Sequence, residues 1–416
     1  MASSVGGARP AAGDGGEAPP SGQGGAEPPA GSGQTLGFVV ATVGYLAVTT
    51  AESLLAPVVP VVRDELGIDL GTAGLAFALL TLAIASGNLA GGLLLARRGA
   101  RQGVVAGLAV TTAGTLATAA SGGRLAFLLS QVLVGFGSGV FFASGLYSVG
   151  VLAGTRRRGF AMGLFGVAFS GGLAAAALLA ALADAHGWRL SYLLVAALAA
   201  AAGIACALAG LPSEPAGGAL PGVRSALRRL LRPPLLVASV ATTSQYGTVA
   251  FLPTFAVLAW GMSPASAALA LTAARLLSVP AKLVSGNATD QAGSLRTARR
   301  LGIALGALGI WWTLAPGPAW TLWAAVLFAA LVSGLGPVAN VLALDSFGSE
   351  GMLLGAFRSA QIAVGSAASA VIGGASSLLG LRPVLVACAL VPLALVPLGV
   401  RLRARRRARA GSGAAS

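Results

Sequence analysis

Four ionisable side chains stand inside long apolar stretches of the sequence: Glu52, Arg275, Lys282 and Arg358. Charged groups are costly to bury, so such residues usually face a cavity or pair with one another. An arginine can hold a carboxylate through two parallel hydrogen bonds. A carboxyl group in low-dielectric surroundings can exchange a proton near neutral pH. We therefore predict a site that binds an anion, with Glu52 as a proton carrier.

Each of these four residues also has a structural explanation. Arg275 lies deep within its apolar stretch, but it could form an internal salt bridge or hydrogen bonds between helices. Lys282 follows one heptad later on nearly the same helical face, and its long side chain could extend towards water instead. Arg358 could occupy an interfacial position, and Glu52 could be the fixed partner of a buried arginine.

Uncharged polar residues stand in apolar stretches of the second half of the chain, at Gln245, Tyr246, Asn340 and Gln361. They could orient a ligand beside the cations, or they could hydrogen-bond one helix to another. The sequence has no glycine-rich phosphate loop, no clustered metal ligands and no nucleophile beside a base. We therefore predict neither an enzyme nor a cofactor.

The composition predicts that membrane-spanning helices position these residues. Of the 416 residues, 56% are hydrophobic and 9% are charged, and the mean hydropathy is +0.84. A span needs about 20 mainly apolar residues, and it must be a helix because hydrocarbon leaves backbone polar groups without partners. Twelve such segments fit the sequence, at 36–59, 72–95, 103–120, 124–150, 159–183, 188–211, 234–260, 264–286, 298–316, 319–343, 351–378 and 383–400.

The arginines predict the orientation of these spans. The formal net charge is +15, and arginine clusters alternate with loops that hold a single arginine. Because basic residues favour the cytoplasmic side, we place both termini in the cytoplasm and the chain in the cell inner (plasma) membrane. This pattern favours the lipid bilayer and a small-molecule substrate as partners, excludes nucleic acid, and leads us to expect a monomer.

The predicted organisation has five parts. Residues 1–34 are rich in Gly, Ala, Pro and Ser and are expected to form a disordered cytoplasmic tail. Residues 35–211 hold the first six spans, and residues 212–233 form a cytoplasmic linker with prolines and a basic stretch. Residues 234–404 hold the other six spans, and residues 405–416 form a basic cytoplasmic tail.

The two halves resemble each other. RGFAMGLFGVAFSGG of the fifth span matches EGMLLGAFRSAQIAV of the eleventh, and the fourth and tenth spans share a Gly-x-Gly pattern. The matched residues are Gly159, Gly163 and Phe165 with Gly351, Gly355 and Phe357, and Gly135 and Gly137 with Gly334 and Gly336. Glycines at such positions let helix backbones approach closely. We predict two pseudo-symmetric bundles of six helices.

Two loops connect the chain to a known family. GLLLARRGAR follows the second span, from Gly92 to Arg101, and GNATDQAGSL follows the eighth, from Gly286 to Leu295. Both are similar to Gly-x-x-x-Asp-Arg/Lys-x-Gly-Arg/Lys-Arg/Lys, the loop signature of the major facilitator superfamily, so the chain resembles that family. The resemblance implies an all-α integral membrane transporter whose two halves expose a central site alternately to either side.

The same signature implies a conformational latch. Its residues here are Gly92, Arg97, Gly99, Arg101, Gly286, Asp290 and Gly293. The glycines permit tight turns, and the Asp can stabilise one closed state at the N-terminus of a neighbouring helix. Ala96 replaces the Asp in the first copy, and Gln291 replaces the basic residue in the second. We therefore expect Asp290 to be the main latch.

The cations of the second half favour transport of a small organic anion with proton or anion coupling. Arg275 in the eighth span and Arg358 in the eleventh are also similar to the basic pair of the oxalate and monocarboxylate branch of this superfamily. One alternative is proton-driven efflux of a hydrophobic drug or metabolite, with Glu52 as proton carrier. Another class of function is a membrane sensor or receptor on the same fold.

Overall fold

The computed structural model of the chain describes residues 32–68, 70–216, 230–231, 233–315, 319–347 and 350–397. Every regular element among these residues is a helix. Eight of these helices are long and apolar enough to cross a membrane, and there is a ninth if two helices joined at a bend count as one span. Over the residues described, each of the twelve predicted spans coincides with a helix or an interrupted helix, so the all-α fold predicted from the sequence is confirmed.

The N-terminal half consists of α1 (Ser32–Leu66), α2 (Leu70–Arg98), α3 (Ala100–Ala119), α4 (Arg124–Leu152), α5 (Arg158–His186) and α6 (Trp188–Leu208). Glycines bring the backbones of α2 and α4 together. A Cβ atom at Gly87 would lie 2.3 Å from the carbonyl oxygen of Phe136, and one at Gly139 would lie 2.3 Å from that of Ile84. Such contact favours association of helices in lipid, where no hydrophobic force between them exists.

The C-terminal half contains interrupted helices. Its elements are α7 (Pro233–Thr242), a π-helical segment (Thr243–Val249), α8 (Ala250–Trp260), α9 (Pro264–Ala292), α10 (Ser294–Leu314), α11 (Ala319–Ser333), α12 (Leu335–Phe347), α13 (Gly351–Leu379), α14 (Leu381–Leu390) and a 3₁₀ turn (Val391–Leu395). The seventh predicted span bends by 44° between its two parts. The tenth is interrupted at Gly334, and in the twelfth the α-helix gives way to the 3₁₀ turn. The hydropathy of the sequence does not reveal these interruptions.

The Gly-x-Gly pattern does not have the same role in both halves. Gly135 and Gly137 pack closely, and Cβ atoms there would lie 2.3 Å from the Leu80 oxygen and 2.5 Å from the Thr111 nitrogen. Gly334 interrupts a helix, and a Cβ at Gly336 would have no heavy atom within 4 Å. The prediction that these two glycines mediate close helix packing is wrong for Gly336, because Gly336 lines a cavity instead.

The two halves meet mainly where α2 packs on α13 and α5 packs on α9. A Cβ at Gly92 would lie 2.6 Å from the carbonyl oxygen of Gly351, and one at Gly159 would lie 2.3 Å from that of Gly286. These pairs lie at the C-termini of α2 and α9 and the N-termini of α5 and α13, which we call the closed end. The glycines matched between the halves thus occupy equivalent contacts.

The predicted linker begins on the N-terminal half. The carbonyl oxygen of Pro212 accepts a hydrogen bond from the Arg101 backbone N–H (2.9 Å), and the Ala216 N–H donates to the oxygen of Leu95 (3.2 Å). These contacts hold the chain against the turn between α2 and α3. Residues 217–229, residues 1–31 and residues 398–416 lie outside the described part, so the division into five parts stays a prediction.

Candidate functional site

A cavity of about 370 Å³ lies between the two halves, next to the closed end. All seven side chains that the sequence predicts as substrate ligands line it: Arg275, Arg358, Lys282, Gln245, Tyr246, Asn340 and Gln361. The Tyr246 side chain is 48% exposed. The Tyr246 ring therefore presents accessible surface to the cavity. We call the end of the bundle opposite the closed end the open end.

Arg275 presents a guanidinium group to this cavity. It lies on α9, which begins at Pro264 after the Ser263 hydroxyl accepts a hydrogen bond from the Ser266 N–H at 3.2 Å. The Arg275 side chain is exposed to the cavity. Among the residues that the structure describes, its guanidinium group has neither a hydrogen-bond acceptor nor an ion-pair partner. Neither an internal salt bridge nor a bond between helices therefore accounts for this arginine.

Lys282 connects the two halves. Its side chain is only 6% exposed, and its Nζ donates to the carbonyl oxygen of Gly166 at 2.9 Å and to the hydroxyl of Ser170. Nζ also lies 5.5 Å from the centre of the Phe169 ring. Lys282 therefore reaches across to α5 from the bottom of the cavity, and the alternative in which it extends to the membrane surface is wrong.

Arg358 is held on the floor of the cavity by its own half and by an aromatic ring of the other. Its Nη1 donates to Gln361 Oε1 at 2.8 Å, and its Cζ lies 4.3 Å from the centre of the Phe142 ring. A guanidinium over an aromatic face is favourable because the ring face is electronegative. Arg358 is half-buried between the halves and lines the cavity, so an interfacial position does not account for it.

Glu52 lies beside the cavity and not in its lining. The Ser138 hydroxyl of α4 donates a hydrogen bond to the Glu52 carboxylate, and Arg358 lies within electrostatic range. In the described part of the chain, no ion pair joins Glu52 to an arginine. Its role as a proton carrier stays a prediction, and the structure adds Ser138 as the group that holds this carboxyl.

The π-helical segment presents two of the predicted ligands. Gln245 and Tyr246 lie on it, at the bend between α7 and α8, and both side chains are exposed to the cavity. A π-helical turn widens the backbone spiral and is common at functional sites. Pro253 in α8 removes one backbone donor close to this bend. The interruption thus turns a polar pair towards the cavity in the middle of an apolar span.

One of the two contacts that the loop signature implies is present at the closed end, and its role as a latch stays a prediction. The Asp290 carboxylate accepts hydrogen bonds from the backbone N–H groups of Gly159 (2.6 Å) and Phe160 (2.9 Å), in the first turn of α5. The positive end of the helix dipole favours a carboxylate there. Gly99 and Gly293, with φ of +84° and +85°, make the two tight turns. In the other copy, Ala96 offers α13 no carboxylate.

Two arginines of the signature do not join the halves. Arg97 is exposed, and the Arg101 guanidinium donates to the carbonyl oxygen of Ala207 within the N-terminal half. A contact that sequence reasoning missed joins the halves instead: Arg158 Nη1 lies 2.9 Å from Asp345 Oδ1. Asp345 lies two residues before the end of α12 at Phe347. It is the acidic residue of that helix, and this acid was the only signal available.

Comparison with known proteins gives the family. The model of the Major Facilitator Superfamily matches residues 41–370. The chain belongs to the major facilitator superfamily. It is therefore a multi-pass membrane transport protein and not an enzyme. It is 27% identical over 220 residues to the inner membrane transport protein YdhP of Escherichia coli (strain K12), an alignment that covers 51% of this chain and 54% of that protein. The chain thus spans about half the length of this curated relative.

Solved structures share the fold of this major facilitator protein. The transporter FucP in the outward conformation matches with a TM-score of 0.77 and 18% identity, covering 89% of this chain and 99% of that one; FucP is a fucose:proton symporter of E. coli. The human organic anion transporter MFSD10 matches with a TM-score of 0.73 and 16% identity, covering 89% and 100%. At these identities the likeness is one of fold.

An aromatic wall is the part of the cavity that sequence reasoning missed. Tyr45, Phe142, Phe165 and Phe169 of the N-terminal half line it. The rings of Tyr45 and Phe165 stack with centroids 3.9 Å apart and planes 8° apart. Tyr45 lies one heptad before Glu52 on α1, which was a usable signal. The phenylalanines gave none, because a phenylalanine in a span can equally face lipid.

Proposed function

We propose that this transporter carries a small organic anion by alternating access, with proton or anion coupling. The observation that supports this most is the charge of the cavity. Arg275, Lys282 and Arg358 line it, and no acidic side chain does so among the described residues. Arg275 has no protein partner there, so its charge is available to a ligand. A guanidinium facing a small cavity can bind a carboxylate with two hydrogen bonds.

The contacts at the closed end support alternating access. Opening this end would separate the Asp290 carboxylate from the first turn of α5 and Arg158 from Asp345. Each contact joins the two halves and is reversible, since neither is covalent. The smooth glycine surfaces beneath them allow one half to rock against the other. The state described is packed shut at this end, and we propose that the cavity opens at the other.

The arginine distribution supports an orientation with the closed end and both termini in the cytoplasm. In the inner (plasma) membrane, the cavity would then open to the outside. We also propose that residues 212–233 form the linker between the two six-helix bundles and that the protein is a monomer. Because Arg275 and Arg358 lie on the eighth and eleventh spans, we also place the transporter near the oxalate and monocarboxylate branch of the superfamily.

A thermal-shift screen of the purified protein tests the anion site. Small carboxylates, inorganic anions and lipophilic cations are added in turn, because a ligand that binds the folded state raises Tm. We expect carboxylates to raise Tm of the unmodified chain and of Arg124→Gln, which removes an exposed arginine outside the cavity, but not of Arg275→Gln. Stabilisation of all three by lipophilic cations alone would overturn the proposal.

A second candidate function is proton-driven efflux of a hydrophobic compound. The aromatic wall of the cavity and the carboxyl group of Glu52 beside it favour this function. The two candidates differ in their dependence on Arg275 and Glu52. In liposomes with an imposed pH gradient, efflux predicts that Glu52→Gln abolishes proton-driven accumulation of a lipophilic probe while Arg275→Gln leaves it intact. Loss of organic-anion accumulation in Arg275→Gln supports the first candidate, and the effect of Glu52→Gln on that accumulation then shows whether the coupling ion is a proton.

A further inference from the structure

We infer that the transported anion has a single carboxylate-type head and an apolar body, aryl or branched alkyl, in contrast to a compact dianion. This inference rests on the proposed anion site and specifies the substrate class. It comes from the difference between the two walls of the cavity and from the number of cations that are free to bind a ligand.

The two walls of the cavity differ in chemistry. The wall contributed by the C-terminal half holds the three cations, whereas no charged side chain from the described residues of the N-terminal half lines the cavity. Tyr45, Phe142 and Phe165 are at most 6% exposed and form a solid aromatic backing. Ligand pockets are commonly apolar, with few polar groups that fix orientation. A ligand that fills this cavity therefore meets a charged side and an aromatic side.

The apolar surface that a ligand can touch lies close to Arg275. On α9, Leu271 is one turn before Arg275 and lines the same cavity. On α5, Phe169 and Leu173 are one turn apart and only partly buried. The Tyr246 ring adds a half-exposed aromatic face. An anion held at Arg275 thus has apolar side chains on both sides of the cavity for the rest of its structure.

The engagement of the cations limits the number of anionic groups. Lys282 is hydrogen-bonded to Gly166 and Ser170, and Arg358 is hydrogen-bonded to Gln361 and packed on Phe142. Only Arg275 lacks such contacts among the described residues. A compact dianion would have to displace Lys282 or Arg358 from these partners, and it would leave the apolar surface in water. A single anionic head with an apolar body requires neither.

The size of the cavity agrees with such a ligand. Its 370 Å³ lies near the lower end of the range for ligand pockets, about 300 to 1,000 Å³. This space holds a carboxylate and one ring or branched alkyl group. We therefore choose phenylacetate as the probe. Acetate lacks the apolar body, malonate carries a second carboxylate, and phenylacetamide has the same body without the charge.

Isothermal titration of the purified full chain with these four compounds tests the inference. We expect phenylacetate to bind at least about tenfold more tightly than acetate, since burial of a phenyl ring removes apolar surface from water. Malonate should bind no more tightly than acetate, and phenylacetamide should not compete with phenylacetate for the site. Phe169→Ala should lower the affinity for phenylacetate about tenfold and leave that for acetate unchanged. Phe77→Ala, outside the cavity, serves as the matched control.

The outcomes separate this inference from the proposed function. Malonate binding more tightly than phenylacetate, or equal affinities for acetate and phenylacetate, would overturn the inference, and the anion site would stand if Arg275→Gln still abolished binding. If Arg275→Gln bound every anion as well as the unmodified chain, the proposed function and the inference would both fail. The ligand series on the unmodified chain decides the matter even where a variant does not fold.

Discussion

The three cations of the cavity differ in what already holds them. Arg275 has no protein partner among the described residues, Arg358 is paired with Gln361, and Lys282 spans the interface to Gly166 and Ser170. An ion in low-dielectric surroundings is costly unless it is compensated. Backbone and hydroxyl oxygens compensate Lys282, so we propose that it serves the contact between halves. Arg275 lacks such compensation among the described residues, so we propose that it binds the ligand.

This division predicts different effects for two substitutions. Lys282→Gln removes a charged hydrogen bond across the halves, and such bonds contribute about 2 kcal/mol. The ratio of molecules open to molecules closed at this end should therefore rise roughly thirtyfold. Distances between spin labels at Arg157→Cys and Gln291→Cys, on either side of the closed end, measure this. The native Cys206 and Cys388 are buried.

The same labelled protein with Arg275→Gln provides the control. It should keep the short distance of the unmodified chain, because Arg275 makes no contact across the closed end. If Lys282→Gln also kept the short distance and lost anion affinity as strongly as Arg275→Gln, Lys282 would be a ligand of the substrate and not a tether.

Among the helices, α5 and α9 form the most informative pair. Gly159 and Gly286 let their ends touch, Asp290 caps the first turn of α5, and Lys282 reaches α5 further along. The related pair α2 and α13 has the glycine contact at Gly92 without a carboxylate cap. The latch is therefore asymmetric, and α5–α9 should be the pair that controls opening of the closed end.

A methyl group at Gly159 should test this pair. Its Cβ would lie 2.3 Å from the backbone oxygen of Gly286, and overpacking of this kind costs about 1 to 3 kcal/mol. We expect Gly159→Ala to raise the population with a longer spin-label distance at the closed end roughly tenfold. Gly74→Ala, where a Cβ meets no heavy atom within 4 Å, should not. An unchanged distance in Gly159→Ala would contradict the close approach.

A polar cluster ties α1 to α6 at the open end. Trp188 Nε1 donates to Glu65 Oε2 at 2.6 Å, and the Arg189 guanidinium donates to the same carboxylate. Arg189 Nη2 also donates to the Ser121 oxygen at 2.8 Å, in the turn after α3. The Gly-Trp-Arg sequence that begins α6 therefore connects the start of that helix to two others. The hydrogen bond from Arg189 lowers the pKa of Glu65 below its ordinary value of 4.5.

This cluster predicts a pH dependence of stability. Because the folded-state pKa of Glu65 is lowered, its stabilisation is present above pH 4.5 and is lost as pH falls through the folded-state value. The Tm of Glu65→Gln should thus lie below that of the unmodified chain at pH 7, by a small margin because exposed ion pairs contribute little. The difference should vanish in acid. Glu214→Gln should show no such convergence, and a constant difference for Glu65→Gln would contradict this account.

For the whole molecule, the bilayer made much of the fold predictable. A span must be about 20 apolar residues and must be helical, so hydropathy and length alone located the helices. The cavity residues were also predictable, because a charged side chain inside a span is costly and therefore rare. All three basic side chains singled out in this way, and the four polar ones, line one cavity. A separate argument, the resemblance to the family's loop signature, singled out Asp290.

The rest could not be predicted, for equally physical reasons. In a helix that is apolar on all sides, the sequence does not tell which face meets lipid and which meets a cavity, so Phe142 and Phe169 gave no signal. The interruption at Gly334 and the π-helical segment depend on packing against other helices. Asp345 was missed because its partner, Arg158, stood among the arginines of a predicted loop. Contacts between the halves join residues that are far apart in the chain, and a single sequence does not show which residues pair.

We propose that this major facilitator protein binds an organic anion in the cationic cavity between its halves and carries it across the membrane. Uptake of radiolabelled phenylacetate and of malonate into liposomes that contain the purified chain measures this most directly. We predict uptake of at least one of these anions by the unmodified chain and by Arg124→Gln, and at least a tenfold slower rate for Arg275→Gln, because its ligand loses a bidentate partner. Equal rates for Arg275→Gln and the unmodified chain, or uptake of neither anion above that of empty liposomes, would contradict the claim.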